Sequence, residues 1–187
     1  NLLPPLRHFD QALFHKINQV WTAQWLDVAM PILTDLHKVR IFDFLILPAC
    51  LGAWFYYKRE TALRALLWLA VIMSLTDLGL HRFLKPQIHR ARPGQAGVSV
   101  ILRTKHNAGY SFPSNHAANS FAAAAFLGSL YPAFRLPLFA FAAAIAYSRV
   151  YTGVHFPLDV ACGAFIGLGM GWFGAWGWSR RYGRQNR

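Results

Sequence analysis

An all-α bundle of about six membrane-crossing helices is the fold this sequence predicts, and three observations predict it. The 187 residues are 55% hydrophobic and only 14% charged, with mean hydropathy +0.27, too apolar for an ordinary soluble domain. The apolar residues come in runs of about 20, the length that crosses a bilayer as a helix. No run alternates as a strand would, and neither an internal repeat nor a low-complexity tract breaks the series. A chain of this length holds one compact bundle, so a single membrane domain over 1–187 is expected.

The elements follow in order. Over 1–20, Leu6, Phe9, Leu13, Ile17 and Val20 recur at helical spacing with Arg7, Asp10, Gln11 and Lys16 between them, which predicts an amphipathic N-terminal interfacial helix. No basic stretch followed by a short apolar core and small-residue cleavage site opens the chain, so no secretory leader is expected. A first span over 21–36 is short and carries Gln24, Asp27 and Asp35. Better spans follow at 41–57 and 61–84, the latter turning polar at Asp77, His81 and Arg82, as the edge of a site would. Residues 85–112 form a loop rich in Gly, Pro, Arg and His, too polar for lipid and long enough to carry function. Three more spans are predicted at 114–131, 134–152 and 156–178. The last carries Gly163, Gly167 and Gly171 at four-residue intervals, which suits close helix packing inside the bundle better than a homodimer face, so the oligomeric state stays open.

Lys and Arg number 19 against 7 Asp and Glu, a formal charge of +12 with pI near 10.4. That balance suits anionic lipid headgroups or phosphorylated substrates. A nucleic-acid partner is excluded, because the basic residues lie between apolar runs and leave no soluble basic face. Cys50 and Cys162 sit in apolar stretches with no metal-ligand spacing and are read as small buried hydrophobes. Outside the spans, Lys and Arg divide almost evenly between the two sides until Lys85, Arg92 and Arg149 are set aside as ligand-binding. The remainder places both termini inside and the site outside.

Three clusters carry chemistry: Lys85 to Pro93, Pro113-Ser114-Asn115-His116, and Ser148-Arg149 with His155 and Asp159 downstream. Two spans separate the second cluster from the third, and the first lies in the loop just before the fourth span, so all three face one side of the membrane. Lys85, Arg92 and Arg149 are cations without a matching acidic cluster, fit for an anion with several oxygens such as phosphate. Ser114 stands where a helix begins, so its hydroxyl and the backbone N–H groups from Asn115 onward add donors at the positive end of the dipole. Asp159, four residues beyond His155, can fix that imidazole's tautomer and leave its other nitrogen as a nucleophile, while His116 suits a general acid.

The patterns K-x6-R-P, P-S-x-H and S-R-x5-H-x3-D, in this order, resemble the type-2 phosphatidic acid phosphatase family, which includes vanadium haloperoxidases and glucose-6-phosphatase. The resemblance implies a membrane lipid phosphatase with His155 as phosphohistidine nucleophile, Asp159 as its orienting carboxylate, and His116 as the acid that later activates water. It also implies that Lys85, Arg92, Ser114 and Arg149 bind the phosphoryl oxygens, with no cofactor and no metal. The family commonly has Gly where this chain has Asn115, a residue that tolerates a left-handed backbone better than other non-glycine types.

Competing readings fit the residues less well. His8, His15, His37, His81 and His89 read as interfacial residues. A metal site of His116, His155 and Asp159 is opposed by the three cations. A non-catalytic phospholipid transporter would carry polar residues through the bundle centre, where these spans have Ala, Gly and aromatics. The expected partners are therefore membrane lipids and a phosphorylated lipid substrate. Arg103, Lys105 and His106 could meet a second phosphate, which favours undecaprenyl diphosphate, with lipid A, phosphatidylglycerophosphate or phosphatidate as alternatives. The expected location is the bacterial inner membrane, with the site towards the periplasm or outside.

Overall fold

The computed structural model describes residues 3–36, 47–105 and 109–183, and among them the regular elements are all helical. Helix α1 (Pro4–His15) runs into a π-helical turn at Lys16–Val20, and α2 covers Gln24–Thr34. Helix α3 (Leu47–Gly79) continues through a second π-helical turn, Leu80–Leu84, into the short α4 (Lys85–Ile88). After the loop come α5 (Asn115–Leu130), α6 (Arg135–Tyr151) and α7 (Pro157–Tyr182). Lys58, at φ −143° and ψ 39°, breaks α3 into two limbs where the sequence puts a connection between spans. The six predicted stretches thus appear in order, as α2, the two limbs of α3, α5, α6 and α7.

Among the described residues, three stretches are each long and apolar enough to cross a membrane: Cys50–Gln95, Pro132–Tyr151 and Pro157–Tyr182. The first predicted span comes out short, since the 11 residues of α2 rise only about 16 Å, roughly half the hydrocarbon thickness. Residues 37–46, which include the start of the second predicted span, lie outside the described residues.

Helix α1 presents Leu3, Leu6 and Phe9 outward, as an interfacial helix should, while Phe14 packs edge-on against Phe156 at 5.2 Å between ring centroids. One detail reverses the expectation from the sequence. Asp10, read as part of the polar face, is fully buried. Cys50 departs in the other direction, being exposed, while Cys162 is half-buried; both are free thiols.

The centre of the bundle is the seam between α5 and α7. A Cβ at Gly163, Gly167 or Gly171 would stand 2.4, 2.1 or 2.4 Å from the carbonyl oxygens of Ser114, Ala118 and Ala122. The glycine stripe therefore packs within the chain, one helix laid directly on the backbone of the other. In lipid, where apolar side chains gain nothing by leaving solvent, such van der Waals contact is what joins helices. Arg135 extends the arrangement to α6, its Nε donating to Gly128 O at 3.3 Å across the turn.

The polar loop lies over one end of the bundle, anchored by Asn18. The Asn18 amide donates to Ile101 O at 2.9 Å and Tyr151 O at 2.8 Å, and its oxygen accepts the Ile101 N–H at 2.8 Å. Gly153 makes room at that junction: its φ is +83°, and a Cβ there would meet Val100 and Ile101 within 3 Å.

The seam makes a paired test. Gly167→Ala should cost roughly 1–3 kcal/mol through overpacking, read as a lowered melting temperature in detergent. Gly169→Ala, on the same helix with nothing within 4 Å of its would-be Cβ, should melt with the parent.

Candidate active site

Two helix starts and one helix end build the site. Helix α6 delivers Ser148 and Arg149 in its last turns, and the chain turns through Gly153 before Pro157 begins α7. His155 lies in that turn. Its backbone N–H, like that of Val154, donates to Arg149 O at 3.2 Å, so the imidazole and the guanidinium are placed by one tight loop. Asp159, in the first turn of α7, accepts the Phe156 N–H on Oδ2 at 2.9 Å, and the same oxygen lies 3.5 Å from His155 Nδ1. Helix α5 is tied in by its preceding residue, Ser114, whose N–H donates to Asp159 O at 2.9 Å.

The three predicted cations converge here and are held by neutral oxygens. Arg92 donates from Nε to Gly109 O at 3.1 Å and from Nη1 to Val154 O at 2.9 Å, and Nη1 also lies 3.2 Å from His155 Nε2. Lys85 Nζ reaches Tyr110 O at 3.4 Å, and Arg149 Nη1 donates to Thr34 Oγ1 at 2.8 Å. All three are buried, and carbonyl or hydroxyl acceptors cancel none of their charge. Among the described residues the buried Ser114 Oγ and Arg149 Nε have no hydrogen-bond partner. Buried cations and idle donors together describe a cradle for a multivalent oxyanion.

His155 is neutral at pH 7. Burial first, then the charges of Arg149 and Arg92, pull it down to about 4 against the opposing pull of Asp159. With Arg92 donating towards Nε2, the ring proton belongs on Nδ1, facing Asp159, and the Nε2 lone pair faces the cations. That is the tautomer a nitrogen nucleophile requires.

A cavity of about 680 Å³ brings the predicted residues together: Lys85, Arg92, Asn115, His116, Arg149 and His155 all line it. Its other wall is apolar, formed by Met73, Leu127, Leu138, Phe141 and Ile145 of α3, α5 and α6. Phe141 is exposed as well as lining the cavity, so the apolar wall reaches the surface of the bundle. An anionic head and an apolar tail have adjoining places.

The residues expected to meet a second phosphate are placed otherwise. Arg103 is spent on the fold: Nε donates to Asp27 at 2.6 Å, Nη1 to Asn18 O and Tyr151 O at 2.8 and 3.1 Å, and the guanidinium stacks on the Tyr151 ring. Lys105 is exposed, and His106 lies outside the described residues.

Several contributors carry no signal in the motifs. Asp77 accepts from Asn115 Nδ2 at 2.7 Å and Asn119 Nδ2 at 3.1 Å, so the Asn115 side chain is tied to α3. The polar last turns of the third span were the trace of this, since Asp77 and His81 line the cavity. Thr34 needed the tertiary structure to be found. So did Arg90, whose Nη1 donates to Asp159 Oδ1 at 2.5 Å.

With this geometry in hand, comparison with known proteins is direct. A model of the PAP2 superfamily matches residues 61–182. The chain is 35% identical over 125 residues to the lipid A 4'-phosphatase of Bacteroides thetaiotaomicron, covering 63% of this chain and 55% of that protein. It is 33% identical over 166 residues to phosphatidylglycerophosphatase B of Bacillus subtilis, covering 77% and 71%. Among solved structures, Aquifex aeolicus LpxE superimposes with a TM-score of 0.70 at 29% identity, over 87% of this chain and 92% of that one. The Bacillus subtilis PAP2-type phosphatidylglycerolphosphate phosphatase superimposes at 0.66 over 99% and 89%, and at 24% identity it speaks for the fold.

Histidine titration followed by NMR on the labelled protein in detergent checks the electrostatics. His155 should titrate near 4, well below the ordinary 6.5. Above pH 6.5 the ring is neutral folded or unfolded, and as pH falls from 6.5 to 4 only the unfolded chain takes up the proton, so folding should be progressively weakened over that window.

Proposed function

Because the chain belongs to the PAP2 superfamily and its cavity joins an oxyanion cradle to an apolar groove, we propose that it is an integral-membrane lipid phosphatase. His155 Nε2 attacks phosphorus, the bond to the lipid oxygen breaks, and that oxygen takes a proton from His116. Neutral His116 then removes a proton from water as the hydroxide displaces His155, releasing inorganic phosphate and restoring the imidazole. Lys85, Arg92, Arg149, Ser114 and the α5 backbone N–H groups hold the equatorial oxygens, supplying the charge stabilisation that phosphoryl transfer requires. Asp159 keeps the Nδ1 proton in place and supports the positive charge that His155 gains. The observation that carries this reading is the convergence of Arg92 Nη1 on His155 Nε2 at 3.2 Å, with Asp159 behind the other nitrogen.

The substrate we favour is a phosphorylated glycolipid or phosphoglycerolipid, lipid A or phosphatidylglycerophosphate, in place of the undecaprenyl diphosphate preferred from the sequence. Two things support the change. The named relatives act on lipid A and phosphatidylglycerophosphate, and Arg103, one of the candidate second-phosphate ligands, is committed to Asp27, Asn18 and Tyr151. The site faces the outer side of a bacterial inner membrane in this reading, in line with the charge distribution outside the spans.

Phosphate release by purified protein in EDTA tests the proposal on lipid A, phosphatidylglycerophosphate, phosphatidate and undecaprenyl diphosphate. Release should persist in EDTA and vanish in His155→Ala, and His116→Ala should lose about 10²- to 10⁴-fold. Activity retained by His155→Ala would overturn the mechanism. Arg103→Ala should lower the melting temperature and slow mono- and diphosphate lipids equally; a selective loss on diphosphates would restore the earlier substrate preference.

A further inference from the structure

Asp10 belongs to α1, outside the stretch matched by the superfamily model, yet it is fully buried and both its oxygens are used. Oδ1 accepts the Leu158 N–H at 2.8 Å, at the start of α7, and Oδ2 is paired with Arg90 Nη2. Arg90 spends its other terminal nitrogen on Asp159 Oδ1 and lays its guanidinium 4.4 Å from the centre of the Phe156 ring. The remaining oxygen of Asp159 is the one that faces His155. One continuous chain of charged contacts therefore runs from the N-terminal helix to the nucleophile.

The charges along it explain why a carboxylate is worth burying there. Arg90 alone would neutralise Asp159 and remove the negative charge that supports an imidazolium at His155. Asp10 neutralises Arg90 and so returns that charge to Asp159. It does this without loosening the geometry, because the guanidinium is a rigid planar fork held at both tips. Anchoring α1 alone would not call for an ion, since apolar residues of similar volume hold buried surfaces as well or better.

We propose that Asp10, acting through Arg90, is a positioning residue for His155, so that the N-terminal interfacial helix is a working part of the active site. The proposal rests on the reading of His155 as nucleophile. Asp10 fixes the orientation and effective charge of Asp159 and touches no substrate, so it bears on the chemical step and not on lipid binding.

The test uses the full chain. Asp10→Asn keeps the shape and the acceptor for Leu158 and removes the charge and the acceptor that face Arg90. It should lower kcat about 10- to 100-fold, the usual loss when a supporting partner of a reactive group is removed, with KM within threefold of the parent. Asp27→Asn is the control for simple anchoring: Asp27 accepts from Arg103 and from the Tyr151 hydroxyl at 2.6 Å each, and its loss should lower the melting temperature with kcat within twofold. His155 titration gives a second reading in opposite directions. It should move below the parent value in Asp10→Asn and rise above it in Arg90→Gln, where the cation on Asp159 is gone. A kcat for Asp10→Asn within twofold of the parent, or a loss matched by Asp27→Asn, would overturn the proposal, as would a His155 titration unmoved in both variants. If Asp10→Asn does not fold, the Arg90→Gln titration decides. A parent that releases phosphate from no lipid would sink the phosphatase reading instead, and the titrations would still judge the link from Asp10 to His155.

Discussion

Three buried cations around one histidine are the constraint on which this molecule turns. Lys85, Arg92 and Arg149 repel one another, and burial deprives them of water. The surrounding structure is arranged to hold them there. Carbonyls of Gly109, Tyr110 and Val154 and the hydroxyl of Thr34 accept their protons. The loop that supplies most of these carbonyls is pinned by Asn18 and Arg103. Of the acidic side chains around the site, Asp159 faces His155 and Arg90, Asp77 faces two asparagine amides, and Asp35 acts on Arg149. A protein keeps such an arrangement when an anion is to complete it.

Much of this was legible in the sequence, and the reasons are physical. Long apolar runs can do little but cross lipid, so the helical order and the six stretches followed from composition and length. The three motifs could be placed on one face by counting spans, which needs no coordinates. His155 and Asp159 could be paired because four residues across a helix start bring side chains together. What stayed hidden depends on the angle at which a helix docks. The apolar stripe of α1 was visible, but Asp10 looked like its wet edge, because nothing local says that an arginine of the distant loop will meet it. Arg103 looked like a ligand for the same reason: its partners, Asp27 and Tyr151, come from other elements. Asn115 showed as a departure from the usual glycine, while its carboxylate neighbour lies one helix away at Asp77.

The cavity extends the logic from charge to shape. Its polar end takes in the cradle and its apolar wall runs along α3, α5 and α6 to an exposed phenylalanine. A water-soluble phosphate ester would leave that wall bare, whereas a lipid phosphate fills both parts at once. The two halves of the site also answer to different solvents, one built from loop and helix ends near the aqueous boundary, the other from helix faces within the apolar layer.

The glycine seam has a mechanical consequence. With the backbone of α7 resting on the carbonyls of Ser114, Ala118 and Ala122, there is no clearance for those two helices to rock, and the tie between Ser114 and Asp159 closes the same pair at the end nearest His155. His116 and His155 ride on one stiff beam. Any room for a bound molecule to enter or leave is thereby left to the other flank, where Leu138, Phe141 and Ile145 of α6 form the cavity wall.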